Sequence, residues 1–234
     1  MLVSGLIAAG GSGTRLGDSE PKQFLDLGGM PVIAWSVDVF SKASEIGEIV
    51  LVCPADYMEK AREIASKYCI GKSYTVVAGG TTRQESVRNG LQASSRDMNW
   101  VAVHDAARPF ITAQEVDAVC LMARDLGAAI TASRIVDTIK EIHDQIITRT
   151  LDRSDLVAAY TPQVCRKDDL LSAYEIADKS GFHATDEASL LENAGINVAV
   201  YIGSSLNFKI TTADDLQLAR ALAAWQKERR SADA

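Results

Sequence analysis

Short apolar runs alternating with segments of helical periodicity constrain this chain more than any other feature. The runs at residues 2–8, 48–53, 74–77, 100–103, 128–132 and 198–202 predict strands, and the segments 31–42, 55–68, 83–94, 113–126, 167–179, 186–193 and 212–228 predict helices. Strands buried on both faces read as continuous apolar runs and need a helix at each crossover. The pattern therefore predicts an α/β fold with a doubly wound, mostly parallel sheet. In such a fold the ligand site lies beyond the carboxyl ends of the strands. At 234 residues the chain is long enough to bury its own core as one domain, 1–234, without disulfide or metal support.

The segment 134–163 breaks the alternation. Residues 137–142 and 145–151 alternate polar and apolar side chains and are joined by His143 and Asp144, which predicts a β-hairpin arm inserted in the domain. An extended hairpin without a helix of its own cannot bury both faces. Packing against a second copy of the chain is one use for it, and folding back on its own domain is the other. Residues 229–234 read as a frayed tail.

Composition narrows the partners. The formal net charge is −7 and no basic tract offsets it, which argues against nonspecific nucleic-acid binding. No stretch approaches the ~20 apolar residues of a membrane-spanning helix, and residues 1–9 read as a strand rather than a secretion signal. Cys53, Cys69, Cys120 and Cys165 lie far apart in or beside apolar stretches, as reduced cysteines of a cytoplasmic protein do. The dispersal of His104, His143 and His183 argues against a His/Cys zinc site.

On an acidic chain, single cations beside glycines stand out. The first apolar run is followed by Gly10, Gly11, Gly13 and Gly17, with Arg15 among them and Lys22 just beyond. Residues without Cβ let consecutive N–H groups turn toward an anion and approach it, and the cations add full charges, so the loop predicts a nucleoside triphosphate site. A plain strand-to-helix turn is the bland alternative. Spacing disfavours two other glycine motifs. A dinucleotide fingerprint from Gly11 and Gly13 would need glycine where Leu16 stands, and the P-loop-like Gly71-Lys72-Ser73 has Ser66, inside a helical segment, in place of the first glycine.

Further chemistry-bearing groups follow later strands. Gly79 and Gly80 close one, and Ser86 offers a hydroxyl from the next helix, although helix capping by Thr81 or Thr82 explains that stretch equally well. His104-Asp105-Ala106-Ala107-Arg108-Pro109 follows a strongly apolar run. Asp105 can hold a divalent cation or a ribose hydroxyl, and Arg108 can grip a phosphate through two parallel N–H bonds, while a mutual ion pair is the simpler use of both. His104 reads as orienting this loop. Downstream, the hydroxyls of Thr138, Thr150 and Thr161 with Arg153 suit a second phosphate and its polyol, Lys209 lies just past the last strand on the carboxyl edge, and Asp186 reads first as a helix N-cap.

Ala8-Ala9-Gly10-Gly11 with Gly13, Arg15 and Pro21-Lys22-Gln23 resembles the nucleotidyltransferases that join an NTP to a sugar or polyol phosphate. Residues 104–109, Asp137-Thr138-Ile139-Lys140, residues 150–153, Thr161-Pro162-Gln163, Thr185-Asp186-Glu187 and Asn207-Phe208-Lys209 extend the resemblance nearly end to end. The family they resemble is the 2-C-methyl-D-erythritol 4-phosphate cytidylyltransferases of non-mevalonate isoprenoid synthesis. Ribitol-5-phosphate cytidylyltransferases are the neighbouring family; Ala107 and Lys140 favour methylerythritol phosphate. The resemblance implies a Rossmann-like domain whose arm exchanges in a homodimer, CTP in the glycine loop, Mg²⁺ on its phosphates and pyrophosphate as leaving group. It assigns CTP to Ala8, Ala9, Gly10, Gly13, Arg15, Lys22, Gly80, Ser86, Asp105 and Lys209, with Asp105 at the metal. The polyol phosphate falls to Arg108, Thr138, Arg153 and Thr161, and the catalytic cations are Arg15, Lys22, Lys209 and Arg153. Thr81 stands where some relatives carry an acidic residue, and Phe208 occupies a variable position.

The residue chemistry agrees. A phosphate monoester oxygen is ionised near neutral pH, so its attack on the α-phosphorus of CTP needs no general base, and the chain offers no convincing nucleophile-and-base pair. Charge neutralisation and alignment are left to the cations. A nucleotide sensor without turnover is the alternative from another class, and a second phosphate site argues against it because a sensor needs no acceptor pocket.

Overall fold

The computed structural model describes residues 3–10 and 20–232. In chain order the elements begin with β1 (Val3–Ala8), the short pair β2 (Asp26–Leu27) and β3 (Met30–Pro31), α1 (Val32–Lys42), β4 (Ile46–Cys53), α2 (Met58–Tyr68), β5 (Ser73–Ala78), α3 (Arg83–Ala93) and β6 (Trp100–Asp105). They continue with α4 (Ala113–Leu126), β7 (Ala128–Arg134), the hairpin β8 (Lys140–His143) and β9 (Ile146–Thr150), β10 (Val157–Arg166), α5 (Lys167–Ser180), α6 (Glu187–Asn193), β11 (Ala199–Ile202) and α7 (Ala213–Ala232).

Seven strands form one sheet in the order β11–β7–β10–β6–β1–β4–β5, parallel throughout except for β10, which runs antiparallel to both its neighbours. Period-two alternation sends the strand side chains into two cores. On β4, Ile49, Leu51 and Cys53 join the core that contains Phe40 of α1 and Val119 of α4, while Val50 and Val52 join the opposite one with Val87 and Leu91 of α3 and Leu170 of α5. The doubly wound α/β expectation holds, and its physical basis is this two-sided burial. A third cluster, around Phe110, Ile210 and Leu216, seats α7 against the segment that carries Lys209. Among the described residues no helix is long and apolar enough to cross a membrane.

The arm expected over 134–163 is shorter. Its last part belongs to β10, which pairs with β7 at Val157 to Ala159 and again from Gln163, the point where pairing with β6 begins. Pro162 cannot donate to a ladder, and it sits in the gap between those two stretches, so the strand tolerates it. Only β8 and β9 remain as the projecting hairpin. Their turn residues are Asp144 (φ 48°) and Gln145 (φ 67°), one residue later than the expected His143-Asp144, and two successive positive φ values are what a type I′ turn requires. Every residue of both strands is exposed, including Ile142, Ile146 and Ile147.

Candidate active site

The strand order diverges at β1, with β4 and β5 outward on one side and β6 on the other, and the carboxyl ends of these strands carry the site. A cavity of about 450 Å³ opens there, bounded by Ala8 at the end of β1 and Ala9 and Gly10 after it, by Gly80 and Ser86 near the start of α3, by Asp105, and by Lys22 and Lys209. A second cavity, of about 210 Å³, lies among Arg108, Tyr160, Thr161, Gln163, Thr185 and Asp186. Arg83, Asp105 and Lys209 line both.

Close packing dictates the glycine at the floor of the first cavity. A Cβ on Gly10 would lie 2.7 Å from Ser86 Oγ. That hydroxyl has no room to retreat, because it accepts from the Gly80 N–H at 3.0 Å and donates to the Thr82 carbonyl at 2.8 Å. Ser86 thus lines the cavity, but its one proton is spent on the chain itself rather than offered to a ligand. Thr82 is the N-cap of α3, its side chain accepting from Glu85 N, so the capping explanation of this stretch is correct. Lys22 stands on a turn that Gln23 ties to the Ala9 carbonyl and Phe24 anchors by stacking on Tyr57 at 4.8 Å, and its Nζ donates to Ile210 O at 2.6 Å.

Asp105 is the electrostatic centre. Lys209 Nζ lies 2.7 Å from Oδ2, Arg83 Nε 3.3 Å from Oδ1, and Arg108 Nε 3.8 Å from Oδ2. Burial works to raise the pKa of this carboxyl, but the charges of Arg83, Lys209 and Arg108 outweigh it and hold the group well below the usual carboxylate range. Arg83 is held in turn by Glu187, Nη1 to Oε1 at 2.7 Å and Nη2 to Oε2 at 2.8 Å, and Glu187 is fully buried. Burial lowers the pKa of Arg83, yet its two carboxylates raise it above the ordinary value. Arg108 donates to the carbonyls of Asn207 and Ala159, stacks over the Tyr160 ring at 4.4 Å, and keeps a buried Nε without a hydrogen-bond partner.

The turn that carries Asp105 and Arg108 is clamped from behind. His104 Nε2 lies 3.1 Å from the Arg108 carbonyl, which can only accept, so Nε2 bears the proton and Nδ1 accepts from the Thr161 hydroxyl at 3.0 Å. Thr161 Oγ1 accepts in turn from the Asp105 N–H at 3.0 Å. Full burial lowers the His104 pKa to about 4, so the ring stays neutral and orients the loop, as the sequence suggested.

The structure brings together Ala8, Ala9, Gly10, Lys22, Gly80, Ser86, Asp105 and Lys209 in the first cavity, and Arg108 and Thr161 in the second. The Thr161 hydroxyl donates to His104 Nδ1 and accepts from the Asp105 N–H, from where Thr161 lines the second cavity. Gly13 and Arg15 lie outside the described residues. Thr138 and Arg153 are not among the residues lining either cavity; they flank the hairpin, and Arg153 Nη1 donates to the Val136 carbonyl. Sequence reasoning missed the Arg83–Glu187 pair and Tyr160. Asp186 is the N-cap of α6, as read, and its carboxylate also accepts from Gln163 Nε2 at 2.8 Å. Among the described residues no group of three His, Cys, Asp or Glu side chains could hold a metal by itself.

Two cavities that share one carboxylate under three cations, at the switch point of a doubly wound sheet, suit a protein that must hold a nucleotide and an anionic acceptor at once. That is the arrangement of a nucleotidyltransferase. The chain belongs to the 2-C-methyl-D-erythritol 4-phosphate cytidylyltransferase family, whose sequence profile matches residues 3–224. A protein of that description from Halalkalibacterium halodurans is 40% identical over 230 residues, covering 98% of this chain and all of its own length (100%). Another, from Solibacter usitatus, is 42% identical and the match covers 94% of each chain. The crystal structure of a 4-diphosphocytidyl-2C-methyl-D-erythritol synthase from Anaerococcus prevotii superposes with a TM-score of 0.85 at 32% identity, covering 94% of this chain and 95% of that one.

Proposed function

We infer that the protein transfers the cytidylyl group of CTP to 2-C-methyl-D-erythritol 4-phosphate, giving 4-diphosphocytidyl-2-C-methyl-D-erythritol and pyrophosphate. The observation that carries the reading is the junction of the two cavities at Asp105, Arg83 and Lys209, in a chain of this family. CTP occupies the larger cavity and the acceptor phosphate the smaller. An ionised acceptor oxygen attacks the α-phosphorus; the new P–O bond forms as the bond to the α–β bridging oxygen breaks, and that electron pair leaves with pyrophosphate. No proton has to be removed, which suits a site whose histidine is buried and neutral. The barrier is repulsion between two anions. Lys22 and Lys209 lower it by neutralising the triphosphate as charge builds on the leaving group, and Arg108 holds the acceptor phosphate.

A divalent cation fits this donor set in one way. Among the described residues Asp105 is the single carboxylate on the larger cavity, and an ion carried by phosphates needs only one or two protein carboxylates. Asp105 would hold it, and when bound it supplies further charge neutralisation at the phosphates. Both Asp105 oxygens face cations, so Lys209 would exchange Asp105 for a phosphate as the ion arrives.

The hairpin completes the proposal. Its exposed Ile142, Ile146 and Ile147 pack against a second copy of the chain, and Arg153 and Thr138 serve that copy's acceptor phosphate. Four buried, unpaired cysteines suit a cytoplasmic setting.

The test is a panel. The protein is incubated with CTP, Mg²⁺ and one polyol phosphate at a time, and pyrophosphate is measured. Release with 2-C-methyl-D-erythritol 4-phosphate well above that with ribitol 5-phosphate supports the reading. Preference for ribitol 5-phosphate moves the acceptor assignment, and release with neither acceptor defeats the enzyme reading.

A further inference from the structure

We propose that Glu187 is a positioning residue for the transfer, acting through Arg83 on Asp105. The role rests on the cytidylyltransferase reading above. Arg83 lines both cavities, and a guanidinium there would ordinarily turn its two-pronged edge toward the nearest phosphate. Here that edge is already occupied, because Nη1 and Nη2 each meet one oxygen of Glu187. Only Nε is left, and it faces Asp105 Oδ1 at 3.3 Å. Glu187 therefore turns a would-be phosphate ligand into a strut for the carboxylate between the two substrates.

The strut matters when the substrates arrive. Asp105 sits where two anions must meet, held by Lys209 on one oxygen and Arg83 on the other. A triphosphate competes for Lys209. With that ammonium drawn away, Arg83 is the cation that still hydrogen-bonds Asp105, Arg108 Nε standing farther off at 3.8 Å, and Arg83 keeps its Nε for Asp105 while Glu187 occupies its other edge. Glu187 is fully buried at the first position of α6, whose neighbouring Ala188 N–H donates to Gln163 Oε1 at 2.8 Å and whose cap Asp186 accepts from Gln163 Nε2.

Charge and shape separate the two explanations for a buried glutamate. Glu187→Gln keeps the shape and loses the charge, whereas Glu187→Asp keeps the charge and loses a methylene. Positioning predicts that Glu187→Gln lowers kcat by about ten- to a hundredfold with CTP affinity nearly unchanged, and that Glu187→Asp recovers most of that loss. A purely structural role predicts the reverse order, with the smaller Asp the worse of the two. Arg83→Lys, which stays cationic but cannot form the fork, should reproduce the kcat loss of Glu187→Gln. The thermal midpoint of each variant separates lost folding from lost turnover. Glu187→Gln with wild-type kcat, Glu187→Asp worse than Glu187→Gln, or Arg83→Lys with wild-type kcat would each overturn the role. Wild-type protein is assayed first: if it releases no pyrophosphate the function reading falls, whereas an active wild type with a fully active Glu187→Gln removes the positioning role alone.

Discussion

Replacing Lys22 separates two things that one side chain does. Lys22 lines the larger cavity, and its ammonium donates to the Ile210 carbonyl at 2.6 Å, tying the turn after the glycine loop to the segment that carries Lys209. Lys22→Ala loses both. The tie is a half-buried hydrogen bond worth about 1 kcal/mol, or roughly 2–4 °C in melting temperature for a chain of this size. The turn itself survives, because Gln23 and Phe24 anchor it independently. Loss of one charge aimed at a developing anion costs about 3 kcal/mol, near a hundredfold in kcat. Lys22→Gln divides these effects, since an amide can still donate to the carbonyl while carrying no charge. Melting temperature should return toward wild type in Lys22→Gln while kcat stays near the Lys22→Ala value. The assay is pyrophosphate release at saturating CTP and acceptor, alongside thermal melts of all three proteins. A kcat for Lys22→Gln close to wild type would refute the electrostatic role and leave Lys22 a structural tie.

Three further outcomes follow from the same geometry. If the hairpin serves the neighbouring subunit, a verified mixed dimer of Lys22→Ala and Arg153→Ala chains contains one site with both residues intact and regains activity, whereas no recovery means that Arg153 does not act across the interface. Gly10→Ala drives a methyl into Ser86 Oγ at 2.7 Å and should raise KM for CTP on the order of tenfold, with partial relief in the Gly10→Ala/Ser86→Ala pair; a single variant with unchanged KM contradicts the close-packing argument. His104 is neutral when folded, with a pKa lowered to about 4 from 6.5, so the unfolded chain binds the extra proton between those values and stability falls as pH drops from about 6.5 toward 4. Down to pH 4.5 this group contributes a loss of about 2–3 kcal/mol, and denaturant titrations of wild type and His104→Gln should differ by that amount in their pH dependence; equal slopes would show that the ring does not titrate as buried.

Strands β1, β4, β6 and β7 were legible because they are buried on both faces and carry mostly apolar residues. Helix starts were legible where a capping residue marks them, as Asp186 does for α6. α2 begins at Met58, three residues after the expected start, because Ala55–Tyr57 forms a separate 3-10 turn with the same local composition as the helix. β10 stayed hidden since Thr161, Pro162 and Gln163 interrupt its apolar pattern; Thr161 and Gln163 are polar where they line the smaller cavity, and Pro162 sits in the break between the two stretches paired with β7. The Asp105 and Lys209 ends of the central ion network could be read from their places after apolar runs. Its far end could not. Arg83 and Glu187 are 104 residues apart, and each has a sufficient local explanation as an early helix residue, so only the fold reveals that they meet.

In the proposed transfer the acceptor phosphate attacks the α-phosphorus of CTP directly. The most direct measurement supplies 2-C-methyl-D-erythritol 4-phosphate labelled with ¹⁸O in its nonbridging phosphate oxygens, then analyses both products by mass spectrometry. All label is expected to remain in the cytidylyl product, one labelled oxygen now bridging the two phosphorus atoms, with unlabelled pyrophosphate in equal amount. Label in pyrophosphate, or release of CMP without the joined product, would contradict it.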